Sequence, residues 1–252
     1  MTGTRAGSTF TKRDPAAPEG FFEAEARGLR WLGEVEGGAN VVAVLDVSPS
    51  EIVLQRLHHV TPSPQDAEDL GRRLARTHEA DGNAWGRADG EGFIGPLHLP
   101  NGPFGSWHEM WWRGRVEPYL RASVDRGLLS TDDAAALSRA VQRHGTALPT
   151  SRPARIHGDL WSGNVVWTSG GGVLIDAASA HGGHPDADLA MLELFGLDHL
   201  GRLRSAYHEL RPLADGWRER KALFWLHPLL VHVVLFGSSY VGRTRRVVQA
   251  LA

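Results

Sequence analysis

Arg155-Ile156-His157-Gly158-Asp159-Leu160-Trp161-Ser162-Gly163-Asn164, with Leu174-Ile175-Asp176 a short ribbon later, is the stretch on which the fold turns. Its pattern reads as a short apolar entry, a turn carrying Asp159, and then a β-hairpin. The hairpin pairs Asn164-Val165-Val166-Trp167 with Val173-Leu174-Ile175-Asp176 around Thr168-Ser169-Gly170-Gly171-Gly172, whose glycines suit a turn with positive φ. Antiparallel pairing sets the start of the first strand against the end of the second. Asn164 and Asp176 are therefore expected side by side, with Asp159 just upstream. Two carboxylates and a carboxamide at one hairpin mouth make an oxygen-rich site suited to Mg²⁺ and a hydroxyl nucleophile.

Each of the three alone also suits a plainer use: Asp159 as a turn cap, Asn164 as a strand opener, Asp176 as a strand end. Their order is harder to obtain by accident. An Asp, four residues, an Asn and a second Asp after a hairpin is the catalytic-loop and metal-Asp pattern of kinase-like phosphotransferases.

A chain of 252 residues can bury a substantial core as one large domain or two lobes. Its 42% hydrophobic and 22% charged residues are ordinary for a soluble globular protein. A net charge of −2 argues against a general nucleic-acid or membrane-surface binder, so neither partner is expected. The absence of cysteine excludes disulfides and thiolate metal sites. Residues 1–12 lack the apolar run of a signal peptide. The most apolar run, residues 222–236, is too short to span a bilayer and contains His227, Pro228 and His232; it reads as a buried helix. A cytoplasmic protein, monomeric or weakly dimeric, is the expectation.

Taken in order, the chain opens with the end of one strand, a turn at Arg5-Ala6-Gly7 and a strand over residues 8–13. Lys12 on that strand is one of two lysines, the other being Lys221. Residues 21–32 have helical spacing with Phe22, Leu29 and Leu32 on one stripe and Glu25 among them. A strand lysine oriented by a helix glutamate is how kinase-like enzymes hold nucleotide phosphates, although an exposed Lys12 and a surface Glu25 are the plainer alternative. Residues 41–47 and 51–57 read as two strands joined at Ser48-Pro49-Ser50. Gln55-Arg56-Leu57 would then form an interlobe hinge where backbone groups meet an adenine edge. Thr61-Pro62-Ser63-Pro64 opens a helix with Leu70, Leu74 and His78 on one face, His78 reading as a packed core histidine. Residues 82–105 read as an aperiodic loop, residues 107–122 as an aromatic helix used mainly for packing, and Thr131-Asp132-Asp133 as the cap of a helix reaching His144. Residues 149–153 read as a linker. Asp186 and Asp188 read as N-terminal caps of a helix over residues 189–197 rather than as ligands of a transition metal. Helices over 199–211 and 217–236 complete a mostly helical second lobe.

The sequence resembles the fructosamine/ketosamine kinase family, relatives of the aminoglycoside and choline kinases. The resemblance is carried by residues 157–164, by Ile175-Asp176, Gly183-His184, Ala187-Asp188-Leu189-Ala190-Met191 and Glu193-Leu194-Phe195-Gly196. Phe22-Glu23-Ala24-Glu25, Phe93-Ile94-Gly95 and Phe236-Gly237-Ser238-Ser239-Tyr240 extend it to nearly the whole chain from Ser8 onward. It implies an α+β, protein-kinase-like two-lobed fold with a small, N-terminally truncated β-rich lobe (residues 1–60) and a larger, mostly helical C-terminal lobe (61–252). It further implies ATP-dependent phosphorylation of a sugar hydroxyl on a ketoamine, with ATP and Mg²⁺ as cofactors, a small sugar-amine as substrate and a role in deglycation. Carried over, Lys12 binds ATP phosphates and Glu25 holds it, with Gln55 and Leu57 at the nucleotide hinge. Asp159 deprotonates the hydroxyl, Asn164 and Asp176 hold Mg²⁺, Asp188 braces the loop with His157, and Trp161 faces substrate.

Two departures accompany the resemblance. Relatives carry a further strand and a glycine-containing phosphate loop before the lysine strand, and this chain begins too late to hold them, Gly3 and Gly7 reading as turn residues. Ala177 follows the metal-binding Asp where relatives often have Pro. A catalytically impaired homologue that binds a ligand or partner, or a kinase for another small alcohol such as an aminoglycoside, are the competing readings.

Overall fold

The structure is a computed structural model describing residues 8–145 and 152–251. The expected turn at residues 5–7 and part of the 149–153 linker lie outside the described residues. The first elements are β1 (Thr9–Arg13), α1 (Phe21–Gly33), β2 (Asn40–Val41), β3 (Val44–Ser48), β4 (Glu51–Gln55) and α2 (Pro64–Glu79). Next come β5 (Gly92–Ile94), β6 (Leu97–Leu99), α3 (Trp107–Glu109), a π-helical stretch Met110–Val116, α4 (Glu117–Asp125) and α5 (Thr131–Gly145). After these lie β7 (Ala154–Ile156), β8 (Val165–Thr168), β9 (Gly171–Leu174) and β10 (His181–Gly183). Helices α6 (Asp186–Phe195), α7 (Leu200–Leu210), α8 (Trp217–Phe236) and α9 (Val241–Ala250) end the chain.

Alternation along the central strand β4, with Ile52 and Leu54 buried, lets an antiparallel sheet of order β1-β4-β3 bury one face. Lys12 pairs with Ile52 in that sheet. The apolar stripe of α1 (Phe22, Leu29 and Leu32) packs on this face with Ile52, Leu54, Val173 and Ala177 to form a small core. The expected strand over 41–47 divides in two. Val41 runs parallel to β9, whereas Val44–Ser48 joins β4 across a register shift between Val44 and Asp46. One apolar run thus feeds two sheets and ties the first sheet to the hairpin.

A second, larger core gathers α2, the aromatic segment, α4–α9 and the hairpin. Helix α2 starts with a reciprocal cap: Ser63 Oγ accepts the Asp66 N–H and Asp66 Oδ2 accepts the Ser63 N–H. Helix α5 is capped the same way, by Ser130 with Asp133 rather than by Thr131. The expected aromatic helix is interrupted by π-helical turns, which place Trp107 and Trp111 in a stacked pair 5.6 Å apart. The expected loop over 82–105 holds the hairpin β5–β6, whose three-residue strands are too short to show a period. Helix α8 and its continuation form an apolar run, Trp217–Ala250, that meets the length for crossing a bilayer by composition. Leu223, Leu226, Leu229, Leu230 and Val233 of that run are buried in the larger core.

Candidate active site

The hairpin that carries the site is offset from the pairing expected of it. Val165 pairs with Leu174 and Thr168 with Gly171, so the turn is Ser169-Gly170 and the second strand is Gly171–Leu174. Gly171 takes φ +96°, and a Cβ on Gly172 would come within 2.9 Å of Leu70 on α2, so glycine lets strand and helix touch. Asn164 closes a short 3₁₀ turn just before β8, and its carbonyl accepts the Ile175 N–H at 3.1 Å. Asp176 lies just beyond the strand with φ 57°, a left-handed conformation that Asp tolerates better than most residues.

Strand β7 pairs with β10, Ile156 opposite His181, and feeds directly into the loop that carries Asp159. Gly158 has φ +79°, and a Cβ there would lie 2.5 Å from the Ser179 carbonyl oxygen, so only glycine fits. The His157 imidazole closes the loop from within. Its Nε2–H donates to the Ile175 carbonyl (2.8 Å), and Nδ1 accepts the Asp159 N–H (3.3 Å). Burial holds this imidazole below its ordinary pKa, which favours the neutral tautomer these contacts require. From behind, the buried Asp188 carboxylate accepts the backbone N–H groups of His157 (2.8 Å) and Gly158 (2.9 Å). Asp188 therefore turns back onto the loop rather than capping its own helix, which begins at Asp186, earlier than the sequence pattern indicates. His78 Nε2 meets the same carboxylate at 3.1 Å, and its Nδ1 meets the Tyr207 hydroxyl at 2.9 Å.

At the front, the Asn164 side-chain nitrogen Nδ2 donates to the Asp159 backbone carbonyl (2.8 Å) and to Asp159 Oδ2 (3.2 Å), leaving the side-chain oxygen Oδ1 of Asn164 free of these contacts. Burial pushes the Asp159 carboxyl up to about 7; the Asn164 amide works against it, and Asp176 and Asp188 add to it. Lys12 Nζ bridges Glu25 Oε2 (2.9 Å) and Asp176 Oδ1 (2.5 Å). Glu25 is fully buried on α1 and is pushed up to about 7 by burial, against the Lys12 ammonium. Burial is the largest single influence on the Asp176 carboxyl and acts upward, but Lys12, the Glu25 side chain and His157 together hold that group below the usual range. Lys12, Glu25, Asp159, Trp161, Asn164 and Asp176 all line one cavity of about 190 Å³.

Phe21 and Phe93 line the same cavity, edge to face at 5.6 Å, with Lys12 Nζ 5.3 Å from the Phe21 ring centre. Neither is assigned a site role by the sequence pattern, although Phe93 belongs to the Phe93-Ile94-Gly95 run that carries the family resemblance and Phe21 opens the helix of Glu25. His78, read as a core histidine, is indeed buried, but its contact with Asp188 spans 110 positions and leaves no local trace. Gln55 and Leu57 do not line the cavity. The Gln55 N–H is spent on Ala43, and Leu57 packs half-buried on the small core.

The oxygen donors suit a hard cation better than a transition metal. Among the described residues no three His, Asp or Glu side chains gather to hold a metal by themselves. Asp176 and the side-chain amide oxygen of Asn164 could supply two oxygens, a number that fits Mg²⁺ when substrate phosphates and water complete its shell.

A fructosamine kinase family model matches residues 1–252. The chain is 36% identical over 247 residues to a probable ketoamine kinase of Thermus thermophilus, covering 95% of this chain and 85% of that one. It is 27% identical to a chloroplastic protein-ribulosamine 3-kinase of Arabidopsis thaliana, over 94% of this chain and 74% of that one. A crystal structure from Thermobifida fusca, described provisionally as a fructosamine-3-kinase, superposes with a TM-score of 0.91 at 44% identity, over 96% of this chain and 85% of that one. A gentamicin-bound aminoglycoside phosphotransferase shares the fold at a TM-score of 0.62 and 12% identity, over 98% of this chain and 85% of that one. The family model spans the whole chain, the kinase-like architecture agrees with it, and the chain belongs to the fructosamine kinase family.

Proposed function

We propose that this protein uses Mg·ATP to phosphorylate a sugar hydroxyl of a ketoamine, and that Asp159 is the group that takes the hydroxyl proton. Residues 1–60 would carry the nucleotide side of the site and residues 61–252 the acceptor side. Supporting this most directly is the convergence of Asp159, Asn164, Asp176 and the Lys12–Glu25 pair on one cavity. Asn164 fixes the Asp159 carboxylate through its amide, so one carboxylate oxygen is aimed by a hydrogen bond and the other is left for the acceptor. Asp176 and the Asn164 side-chain oxygen are the groups that would hold Mg²⁺, which neutralises charge on the transferring phosphoryl group when bound. Lys12, oriented by Glu25, would neutralise nucleotide phosphate charge. Trp161, 40% exposed at the cavity mouth, offers an aromatic face to the sugar. Dependence on ATP suits a cytoplasmic setting.

The deciding experiment is Asp159→Asn, assayed by coupled ADP release with a fructosamine substrate. A general base contributes on the order of 10²–10⁴-fold, so turnover should fall by about that factor. Circular dichroism and thermal melting should stay those of the folded protein. A folded Asp159→Asn protein with wild-type turnover would remove Asp159 from the reaction.

A further inference from the structure

Asp159 and Trp161 also line a second cavity, of about 340 Å³, adjoining the first. Its remaining wall is largely apolar and aromatic, with Met191, Phe195, Val231, Leu235, Phe236 and Tyr240 set around the His232 imidazole. Asp159 is the one acidic residue that lines it. Phe195, Phe236 and Tyr240 surround the His232 imidazole at centroid distances of 5.0, 5.2 and 4.7 Å. The His232 ring is tied down because Nδ1–H donates to the Pro228 carbonyl at 2.6 Å. The wall is therefore pre-organised, yet Phe236 remains 59% exposed at its rim. Nearby, the Arg243 guanidinium sits 6.0 Å over the Phe195 ring and donates to the Leu194 carbonyl. No carboxylate pairs with Arg243 among the described residues.

We infer that this recess receives the amine-derived half of the ketoamine and selects an uncharged apolar or aromatic substituent over one that ends in a second ammonium. The inference rests on the kinase reading above, because the shared Asp159 and Trp161 fix where the sugar lies. An aromatic tail laid against Phe236 and Tyr240 removes apolar surface from water on both partners. A terminal ammonium would shed water without gaining a carboxylate, since Asp159 is engaged with the acceptor hydroxyl. Aromatic faces attract cations, but the Phe195 face already carries Arg243, whose charge repels a second one.

Three fructosamines sharing one sugar, made from benzylamine, methylamine and 1,4-diaminobutane, test this. The benzyl compound should exceed the diaminobutane compound by about tenfold in kcat/KM, the scale on which an apolar pocket discriminates. Phe236→Ala and Tyr240→Ala should each lower the benzyl-to-methyl ratio, acting mainly through KM. Equal values across the tails, preference for the ammonium tail, or a ratio unmoved in both variants overturns the proposal. Calorimetric binding of the same compounds, with Mg²⁺ and a non-hydrolysable ATP analogue, separates the two readings. If no compound is phosphorylated but the binding order holds and collapses in Phe236→Ala, the kinase reading fails and the recess stands. A flat binding order removes the recess whatever the turnover.

Discussion

His78 and Asp188 face each other at 3.1 Å in a region closed to solvent, and through that contact a helix far away in sequence steadies the loop that carries Asp159. Asp188 is fully committed: one oxygen accepts the Gly158 N–H, the other the His157 N–H and the His78 imidazole. With its Nε2 proton toward the carboxylate, His78 presents Nδ1 as an acceptor for the Tyr207 hydroxyl. Although burial opposes ionisation, His78, through its hydrogen bond and electrostatics, and His157, through its ring and backbone N–H, hold Asp188 below its ordinary pKa. The chain Tyr207–His78–Asp188–loop thus acts on Asp159 without touching substrate.

Replacing His78 by Ala would strip a donor from a buried carboxylate and leave the Tyr207 hydroxyl without its acceptor. A loss of about 3 kcal/mol in stability is expected, read from the urea midpoint. Tyr207→Phe removes only the outer link and should cost about 1 kcal/mol. Because the loop is loosened as well, kcat should fall in His78→Ala by more than KM for ATP rises. Unchanged stability and kcat in His78→Ala would mean that Asp188 does not depend on this contact.

Gly28 on α1 permits the closest approach between the helix of Glu25 and the residue after Asp176. A Cβ at this position would lie 1.9 Å from the Ala177 carbonyl oxygen, which is backbone and has no rotamer by which to yield. Gly28→Ala must therefore push α1 off the Asp176 segment and lengthen the Lys12–Glu25–Asp176 bridge. Overpacking of this kind costs about 1–3 kcal/mol. The larger effect should fall on kcat/KM for ATP, and a wild-type value in a correctly folded Gly28→Ala protein would show that the spacing is slack. The contact also accounts for the setting of Ala177, fully buried with its carbonyl accepting the Ala180 N–H.

The catalytic hairpin was legible because its chemistry is local: Asp159 and Asn164 are five positions apart, and Asp176 follows one ribbon later. Lys12 and Glu25 were legible only as a pattern, since their meeting depends on how α1 packs on β1. The offset of the hairpin was hidden because Gly171 and Gly172 resemble turn residues, and only the close approach of Leu70 makes them strand. The split of the 41–47 run was hidden for a similar reason, since periodicity records burial but not which sheet supplies the partner. Asp188 carried a helix-start pattern that its real hydrogen bonds override, and the Gln55 N–H, one of the backbone groups expected to face an adenine edge, donates to the Ala43 carbonyl.

His227 gives the protein a pH dependence whose sign can be worked out. It is buried, donates from Nδ1 to the Arg115 carbonyl at 2.8 Å, and is pushed down to about 3 by burial with the Arg115 charge adding. In the unfolded chain a histidine titrates near 6.5. Above that value both states are neutral and the contribution of His227 is intact. As pH falls from about 6.5 toward 3 only the unfolded state takes up the proton, so stability is lost at about 1.4 kcal/mol per pH unit. His227→Asn keeps a donor near Nδ1 and cannot titrate. The variant should therefore show a shallower fall in Tm between pH 6.5 and 5 than wild type, and parallel curves would place the His227 proton uptake elsewhere.

Glu25 offers the clearest separation of stability from function. It is fully buried, one of its oxygens (Oε1) has no hydrogen-bond partner, and its carboxyl is pushed up to about 7 from an ordinary value near 4.5. The folded state therefore holds a proton that the unfolded state has lost, and stability declines as pH rises from about 4.5 through 7. Glu25→Gln removes this penalty and can still offer an oxygen to Lys12 while turning its amide toward Asp176. At pH 8 the variant should melt higher than wild type, by about 2–4 °C for each kcal/mol of relieved strain, and the gain should shrink toward pH 5. Its kcat/KM for ATP should nonetheless fall, because a neutral amide orients the Lys12 ammonium less firmly than a carboxylate. Lys12→Met provides the control from the other side: it should raise KM for ATP at least as much while gaining no thermal stability at pH 8. If Glu25→Gln matches wild type in ATP kinetics, the pair serves packing alone, and the positioning of Lys12 must be sought in Asp176 instead.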